Sequence, residues 1–253
     1  MSSAVKVLHI CEELAQRQPV GVRELARVVG EPRSSVQRAL DTLEAAGWAV
    51  RTEAGEWCLS TRPVALAARA GASGALVELS ELTLGRLQAA TDESVRLWAR
   101  DGRCVTIVRS LESTQAVRYV GPPPGTTLPL HASAAGKAVL AALPDDEVDA
   151  LLVDPLDALT PQTIVDTDEL RRHLEEIRAL GYATTQHEVR KDVGGVAAAV
   201  LDSAAMPIGA LSVTLPMHRL TAEIVERYGT LVVGEAQQLT ATLGGRHRPP
   251  SAI

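Results

Sequence analysis

The sequence predicts an α+β protein, in which a small helical unit with a hairpin precedes a larger unit of antiparallel strands and helices. Three observations support this prediction. Apolar residues recur at helical spacing through residues 4–47, two short strand-like runs follow at Trp48–Thr52 and Glu56–Ser60, and alternating strand-like runs occur among helices after residue 76. With 253 residues, 46% of them hydrophobic, the chain is long enough to bury a sizeable core.

The helix expected just after Pro32 organises the first unit. Its apolar residues between Val36 and Leu43 are spaced i, i+3, i+4 and i+7, which predicts one buried face. Pro32 suits its first turn, and Gly47 suits the residue past its end. On this segment alone, an ordinary amphipathic surface helix is an equally good interpretation. The opposite face, however, carries hydroxyls, an amide and guanidiniums, which are groups that contact base edges and phosphates.

The neighbouring elements favour DNA binding. Helices are expected at about 4–17 and 22–29, and Gly30-Glu31-Pro32 then turns the chain into the longer helix, which is the helix-turn-helix pattern. The hairpin that follows, with Glu53-Ala54-Gly55 as its loop, is typical of the wing of a winged helix. A small protein-interaction domain is the alternative. The residues expected to contact DNA are Arg33, Ser34, Ser35, Gln37, Arg38, Thr42 and, on the wing, Arg51.

Charge and composition limit the other classes. The net charge is −6, but residues 1–70 carry nine basic and eight acidic residues, so the first unit is near neutral and the rest is acidic. This balance neither proves nor excludes DNA binding. The three cysteines are widely spaced, which favours a reducing cytoplasm over a disulfide framework. No segment resembles a signal peptide or a membrane span, so we expect a cytoplasmic protein without membrane contact.

The second unit is expected to combine an antiparallel sheet with helices. A helix to about Ala90 leads into it, and Asp101-Gly102 marks a hairpin between the first two strands. The expected strands are Ser94–Arg100, Cys104–Ser110, Gln115–Val120, Val196–Asp202 and Ile208–Leu215, and the expected helices are His131–Leu143, 145–153, 167–180 and Thr221–Leu243. The expected domains are therefore 1–62 for DNA binding, 63–75 as linker, 76–246 for the second unit and 247–253 as a flexible tail.

Catalytic and metal-site motifs are not found. Ala135-Gly136-Lys137 fails the phosphate-loop pattern because His131 and Ala138 stand where Gly and Ser or Thr are needed, and Lys137 is expected to snorkel or cap. His131 and Ser133 lack a nucleophile elbow and an orienting acid, so a helix start capped by Ser133 is the better interpretation. We expect no catalytic residue, no metal and no cofactor. An enzyme built on the second unit nevertheless stays open as an alternative.

The chain resembles the IclR family of bacterial transcription regulators, named for the isocitrate lyase repressor. The resemblance covers about residues 4–243 and is most specific at Leu128–Ala141 and Ile177–Ala183, and it continues at Glu188, Val196-Ala197, Asp202 and Leu211–Pro216. It implies a homodimer or dimer of dimers on palindromic double-stranded DNA, as repressor or activator. It also implies a connecting helix and a GAF-like C-terminal domain that binds a small organic effector between the sheet and the helix with Ala-Gly-Lys.

The resemblance also implies an effector pocket. Thr185 stands where an acidic or serine side chain is usual, Gly195 where Cys, Ser or Ala is usual, and Leu201 where an aromatic residue is common. Relative to the family pattern, position 185 lacks a carboxylate and position 195 leaves free volume. The resemblance therefore does not imply that this chain binds an effector already known for the family. The expected effector is a carboxylic or aromatic acid whose carboxylate meets a helix N-terminus without a basic side chain. The expected pocket residues are Leu130, Ala134, Ala135, Thr185, Gly195, Ser212 and Thr214.

Overall fold

The structure is a computed structural model that describes residues 3–69, 72–153 and 155–245. It confirms the expected α+β class. The chain divides into two compact units, Met1–Gly74 and Ala75–Ile253. The expected flexible tail at 247–253 and part of the expected linker at 63–75 lie outside the described residues.

The first unit is a winged helix-turn-helix. Leu25 on the second helix, Val36 and Leu40 on the third and Trp57 on the hairpin are buried in one core. Gly30 adopts a φ of 66° where the second helix ends, and Gly47 a φ of 76° after the third, so both turns use the left-handed region that glycine tolerates. The elements are α1 (Ser3–Arg17), α2 (Val22–Val29), α3 (Arg33–Ala45), β1 (Ala49–Arg51), β2 (Trp57–Leu59) and α4 (Arg62–Arg69).

The second unit is a six-stranded antiparallel sheet with helices on both faces. Its helices are α5 (Ala72–Thr91), α6 (Ala134–Ala142), α7 (Asp145–Leu151), α8 (Thr167–Leu180) and α9 (Ala222–Thr242), and a short 3-10 turn spans Met217–Arg219. Its strands are β3 (Ser94–Asp101), β4 (Cys104–Leu111), β5 (Thr127–Pro129), β6 (Ala183–Gln186), β7 (Val193–Leu201) and β8 (Pro207–Pro216). They lie in the order β5-β4-β3-β8-β7-β6.

Strand alternation assigns each side chain to one of two cores. On β3, Val95 and Leu97 are buried in the core shared with α5 and α9, whereas Trp98 is buried in the core shared with α6 and α8. Because successive residues of a strand point to opposite faces, Ser94 and Arg96 lie on the α6 face together with Trp98. Polar side chains therefore occupy part of a face that is otherwise apolar.

The expected strand at Gln115–Val120 is wrong. These residues form an irregular segment, and the edge of β4 is paired instead with β5, with Cys104 opposite Pro129. The segment is held by side chains rather than by a strand ladder, since the Thr114 hydroxyl and the Gln115 amide both donate to Asp92. The local sequence predicted a strand, but a strand also needs a free neighbouring edge.

Candidate functional sites

The exposed face of α3 carries the residues expected to contact DNA. Val36, Ala39, Leu40 and Leu43 are buried, which turns the opposite face of the helix toward solvent. Arg33, Ser34, Arg38 and Thr42 are exposed there, whereas Ser35 and Gln37 are half-buried. The structure thus brings six of the seven residues together on one helix, with Arg51 on β1 beside them.

Arg51 and Gln37 share one carboxylate on this face. The Arg51 guanidinium donates from Nη2 to Oδ1 of Asp41 at 3.0 Å, and the Gln37 amide donates to the same oxygen at 2.7 Å. Arg51 also lies 3.7 Å from Oε1 of Glu44, and its Cζ is 4.4 Å from the centroid of the Trp57 ring. Asp41 therefore fixes the positions of both side chains on the exposed face of α3.

A cavity of about 80 Å³ lies between the sheet and the start of α6 in the second unit. Its floor is made of cross-strand neighbours, because Thr214 on β8 is paired with Ser94 on one side and with Gly195 on the other. The next strand continues this row, with Thr185 opposite Gly195. Six of the seven expected pocket residues line the cavity: Ala134, Ala135, Thr185, Gly195, Ser212 and Thr214.

Leu130 is the exception. It does not line this cavity but is 3% exposed in the core between the sheet and α6. A Cβ placed on Gly136 would overlap the Leu130 backbone, so the chain before α6 packs directly on the helix. This close approach places Leu130 beneath the helix rather than at its open end.

The N-terminus of α6 presents free backbone donors to the cavity. Ser133 caps the helix, as expected, by accepting a hydrogen bond from the Gly136 N–H at 3.0 Å. The N–H groups of Ala134 and Ala135 have no acceptor among the residues that the structure describes. Such a helix terminus favours an anionic group, since the unsatisfied N–H groups and the helix dipole both attract negative charge.

Ser212 adds a side-chain donor beside them. Its Oγ accepts a hydrogen bond from the Trp98 indole N–H at 2.9 Å, and the residue is 3% exposed. Because a hydroxyl can accept and donate at the same time, the Ser212 proton is left to donate to a ligand in the cavity.

The cavity is also lined by a buried arginine that the sequence analysis missed. Arg96 is 1% exposed, its Nη2 donates to Oε1 of Glu112 at 3.1 Å, and its buried Nε has no hydrogen-bond partner in the described chain. Burial lowers the pKa of Arg96, and Glu112 opposes that shift. Tyr119 and Arg190 also line the cavity, so the expectation of an anion site without a basic side chain does not describe the whole cavity. The sequence signal that could have identified it is a charged residue, Arg96, between the apolar Val95 and Leu97 of an expected strand.

A buried ion pair connects the cavity helix to the loop that carries Arg190. Lys137 on α6 donates to both carboxylate oxygens of Glu188, so it is neither a snorkelling nor a capping residue. Burial lowers the pKa of Lys137 and raises the pKa of Glu188, and their attraction opposes both shifts. Glu188 directly precedes the cavity residues Val189 and Arg190, so the pair holds their backbone against α6.

Neither a metal-binding cluster nor a membrane-spanning helix is found among the described residues. In the described ranges, no group of three or more His, Cys, Asp or Glu side chains is placed to hold a metal ion. None of the helices that the structure describes has the length and apolar character needed to cross a membrane.

Each of the two units matches a domain of known proteins. Residues 3–53 match the model of the IclR helix-turn-helix domain, and residues 68–241 match the bacterial transcriptional regulator IclR C-terminal domain. The transcriptional repressor AllR of Klebsiella pneumoniae is 38% identical over 160 residues, which are 63% of this chain and 58% of AllR. The acetate operon repressor of Salmonella typhimurium is 30% identical over 97% of this chain and 91% of its own length.

A solved structure shares the fold as a whole. The IclR homologue of Microbacterium hydrocarbonoxydans, solved in complex with 4-hydroxybenzoate, has a TM-score of 0.79 at 22% identity and covers 95% of this chain and all of its own chain. The relatives are regulators rather than enzymes, so the alternatives of an enzyme and of a module without a DNA role are set aside. The chain therefore belongs to the IclR family of bacterial transcription regulators, which bind DNA under the control of a small organic effector.

Proposed function

We propose that this regulator responds to a small organic acid bound in the cavity at the N-terminus of α6. The observation that carries the proposal is the polarity of the cavity wall. Arg96 and Arg190 line it, the Ala134 and Ala135 N–H groups are open, and none of the described lining residues carries a carboxylate. In a buried site, where the effective dielectric constant is low, fixed donors of this kind favour a negatively charged ligand.

The carboxylate is proposed to meet the Ala134 and Ala135 N–H groups and the Ser212 hydroxyl. These donors have no acceptor among the described residues and lie around Gly195, whose missing side chain leaves room for the ligand. A Cβ at Gly195 would lie 3.5 Å from Thr185 Oγ1 and 3.9 Å from the Ala134 Cβ, so a larger side chain would fill this end of the cavity.

The body of the acid is proposed to be apolar, with aromatic rings included. Trp98, Pro122 and Leu128 line the middle of the cavity and offer apolar contact. The structural relative solved with 4-hydroxybenzoate supports an aromatic acid as one member of the class.

For DNA recognition, we propose that residues 1–62 bind one half-site of a palindromic operator in the cytoplasm. Arg33, Ser34, Ser35, Gln37, Arg38 and Thr42 would contact the major groove and its phosphates, and Arg51 would contact the backbone or minor groove. Residues 76–246 would bind the effector and act on the DNA-binding unit through residues 61–90. The effector can do so only if it binds the DNA-competent state with a different affinity from the other state.

The assembly is proposed to be a homodimer or a dimer of dimers, because one winged helix contacts too few base pairs to select a single site in a genome. Large apolar side chains are exposed along the helices, among them Leu8 at 61%, Val64 at 71% and Leu82 at 77%. Light scattering on the wild type and on Leu82→Glu tests this proposal. A wild-type monomer that binds its operator tightly would contradict it.

Calorimetric titration tests the effector site. A thermal-shift screen of carboxylic and aromatic acids identifies a binder, since ligand binding raises the apparent stability. Gly195→Leu should then lower the affinity for that acid by at least about tenfold, or ~1.4 kcal/mol. Gly234→Leu is the matched control, because its added side chain begins in open space on α9. Equal affinities for the wild type and Gly195→Leu would place the effector outside this cavity.

A further inference from the structure

We propose that Asp41 sets the base specificity of Gln37 by fixing the orientation of its amide, so that Gln37 contacts adenine and rejects guanine. The inference rests on the proposed function, which places the exposed face of α3 in the major groove. It adds a positioning residue to that face, because Asp41 acts on the base through Gln37 and does not itself need to contact DNA.

The Gln37 amide is held by its nitrogen. Nε2 donates to Oδ1 of Asp41 at 2.7 Å, and because residues four apart are neighbours on a helix, this pair forms within α3 itself. An ionised carboxylate accepts hydrogen bonds but cannot donate one, whereas an amide has a donor nitrogen and an acceptor oxygen. The amide therefore has one favourable orientation beside Asp41, in which its nitrogen faces the carboxylate and its oxygen faces away.

The Asp41 carboxylate is also held from a second direction. Nη2 of Arg51, on β1, donates to the same Oδ1 atom at 3.0 Å. The Arg51 guanidinium lies over the ring of the buried Trp57, with 4.4 Å between Cζ and the ring centroid, and its Nε lies 3.7 Å from Oε1 of Glu44. An isolated i,i+4 pair on an exposed helix is weak. Here the wing adds a second hydrogen bond to the carboxylate that orients Gln37.

The fixed orientation selects one purine in the major groove. Adenine presents N7 as an acceptor and N6–H as a donor, whereas guanine presents two acceptors, N7 and O6. With one N–H bound to Asp41, Gln37 keeps one N–H and a carbonyl oxygen to which no described residue donates. These two groups match adenine, but the oxygen would face the O6 acceptor of guanine. Without Asp41, the amide could turn over and donate both N–H groups to guanine.

Two isosteric substitutions on α3 separate orientation from charge. Asp41→Asn offers Gln37 both a donor and an acceptor, so it no longer fixes the amide. Glu44→Gln removes the same negative charge, also beside Arg51, at a residue that has no hydrogen bond with Gln37 in the described chain. Both positions are exposed, and both changes reduce repulsion from the phosphates, so both should raise affinity for all sequences to a similar extent. A change of base preference confined to Asp41→Asn therefore reports the orientation.

The ratio of affinities for adenine and guanine at one base pair tests the inference. Selection from a randomised double-stranded DNA library with the full-length protein supplies the duplex, and Gln37→Ala identifies the base pair that Gln37 contacts. Fluorescence anisotropy at one salt concentration should then show that Asp41→Asn lowers the preference for adenine by about fivefold or more, which is the lower end of the discrimination that a bidentate contact gives. Asp41→Ala, which removes the acceptor, should show the same loss, and Glu44→Gln should keep the wild-type preference. In the Gln37→Ala background, Asp41→Asn should cause no further loss.

The outcomes distinguish this inference from the proposed function. A wild-type preference in Asp41→Asn, at a base pair where Gln37→Ala has lost it, would overturn the inference and leave Gln37 as a residue that contacts a base. An equal loss in Asp41→Asn and Glu44→Gln would overturn it as well, since charge alone would explain the change. If Gln37→Ala alters no base preference, the proposed contact of Gln37 fails and the inference fails with it.

Discussion

The Nζ atom of Lys137 lies 2.7 Å from Oε1 of Glu188 and 3.0 Å from Oε2, and the Lys137 side chain is fully buried. The same Nζ lies 3.3 Å from Nε2 of His173 on α8. Three separate parts of the second unit, α6, α8 and the connection between β6 and β7, therefore meet at one ammonium group. The cavity wall depends on this contact because α6 and that connection both contribute to it.

We predict that Lys137→Met destabilises the protein by about 3–5 kcal/mol, because it leaves the Glu188 carboxylate buried without its partner. Adding Glu188→Leu should restore most of the loss, since a buried apolar pair can replace a buried ion pair at little cost. Urea unfolding of the wild type, the single variant and the double variant measures both effects. A single variant as stable as the wild type would show that the ion pair does not hold these elements together.

We predict that stability falls on acidification through His173. Burial, and next the charge of Lys137, lower the pKa of His173 below its ordinary value of 6.5. The unfolded chain therefore binds the proton more tightly, so the contribution to stability is full above that value and is lost as the pH falls through the folded pKa. Unfolding free energies at about pH 7.5 and 5.5 should differ less in His173→Gln than in the wild type. His218→Gln, at an exposed position, is the control, and an equal pH dependence in His173→Gln and wild type would refute the assignment.

Helix limits could be predicted from the sequence where local chemistry sets them. α2 spans Val22–Val29 and α8 spans Thr167–Leu180, as expected. Gly181 ends α8 with a φ of 80°, and Asp166 caps its start by accepting from the Glu169 N–H. Each signal lies within a few residues of the helix terminus that it sets, so no tertiary information is needed.

Strand pairing and the charged end of the cavity could not be predicted. The four-residue strand β6 was missed, because Ala183–Gln186 is too short to show a clear alternation. The surroundings of Arg96 depend on Glu112 and Tyr119, which come from the segment between β4 and β5, and Tyr119 in turn lies beside Arg190 from the connection between β6 and β7. The position of Arg96 in a strand indicates a buried charge, but the sequence does not show which residues will surround that charge in the assembled sheet.

We predict that Gln37→Ala relaxes base specificity. If the amide contacts an adenine in two hydrogen bonds, its loss should reduce discrimination at one base pair by about 1–3 kcal/mol. The protein should stay folded, because in the structure the Gln37 amide donates only to the exposed Asp41. Affinities for single-base operator variants, measured at one salt concentration, provide the test. Unchanged discrimination at every position would remove Gln37 from the base-reading set.

We predict that Arg51→Ala weakens binding to all DNA sequences alike. A phosphate contact contributes through counterion release, so the slope of log K against log salt should decrease by about one unit. Arg51→Lys keeps the charge and should keep the slope. An unchanged slope in Arg51→Ala would mean that the ion pairs with Asp41 and Glu44 persist in the complex.

We predict that Ser212→Ala weakens binding of the effector by roughly 0.5–1.5 kcal/mol, or by up to about 3 kcal/mol if the hydroxyl contacts the charged group. The same change removes the acceptor of the buried Trp98 N–H, so it should also lower the free energy of unfolding by about 1–3 kcal/mol. Trp98→Phe separates the two effects, because it removes that N–H and leaves the hydroxyl in place. In the Trp98→Phe background, Ser212→Ala should weaken the effector by a similar amount while the added loss of stability shrinks. If Ser212→Ala changes stability but leaves calorimetric affinity intact in both backgrounds, Ser212 only supports Trp98 and the carboxylate is bound by other donors.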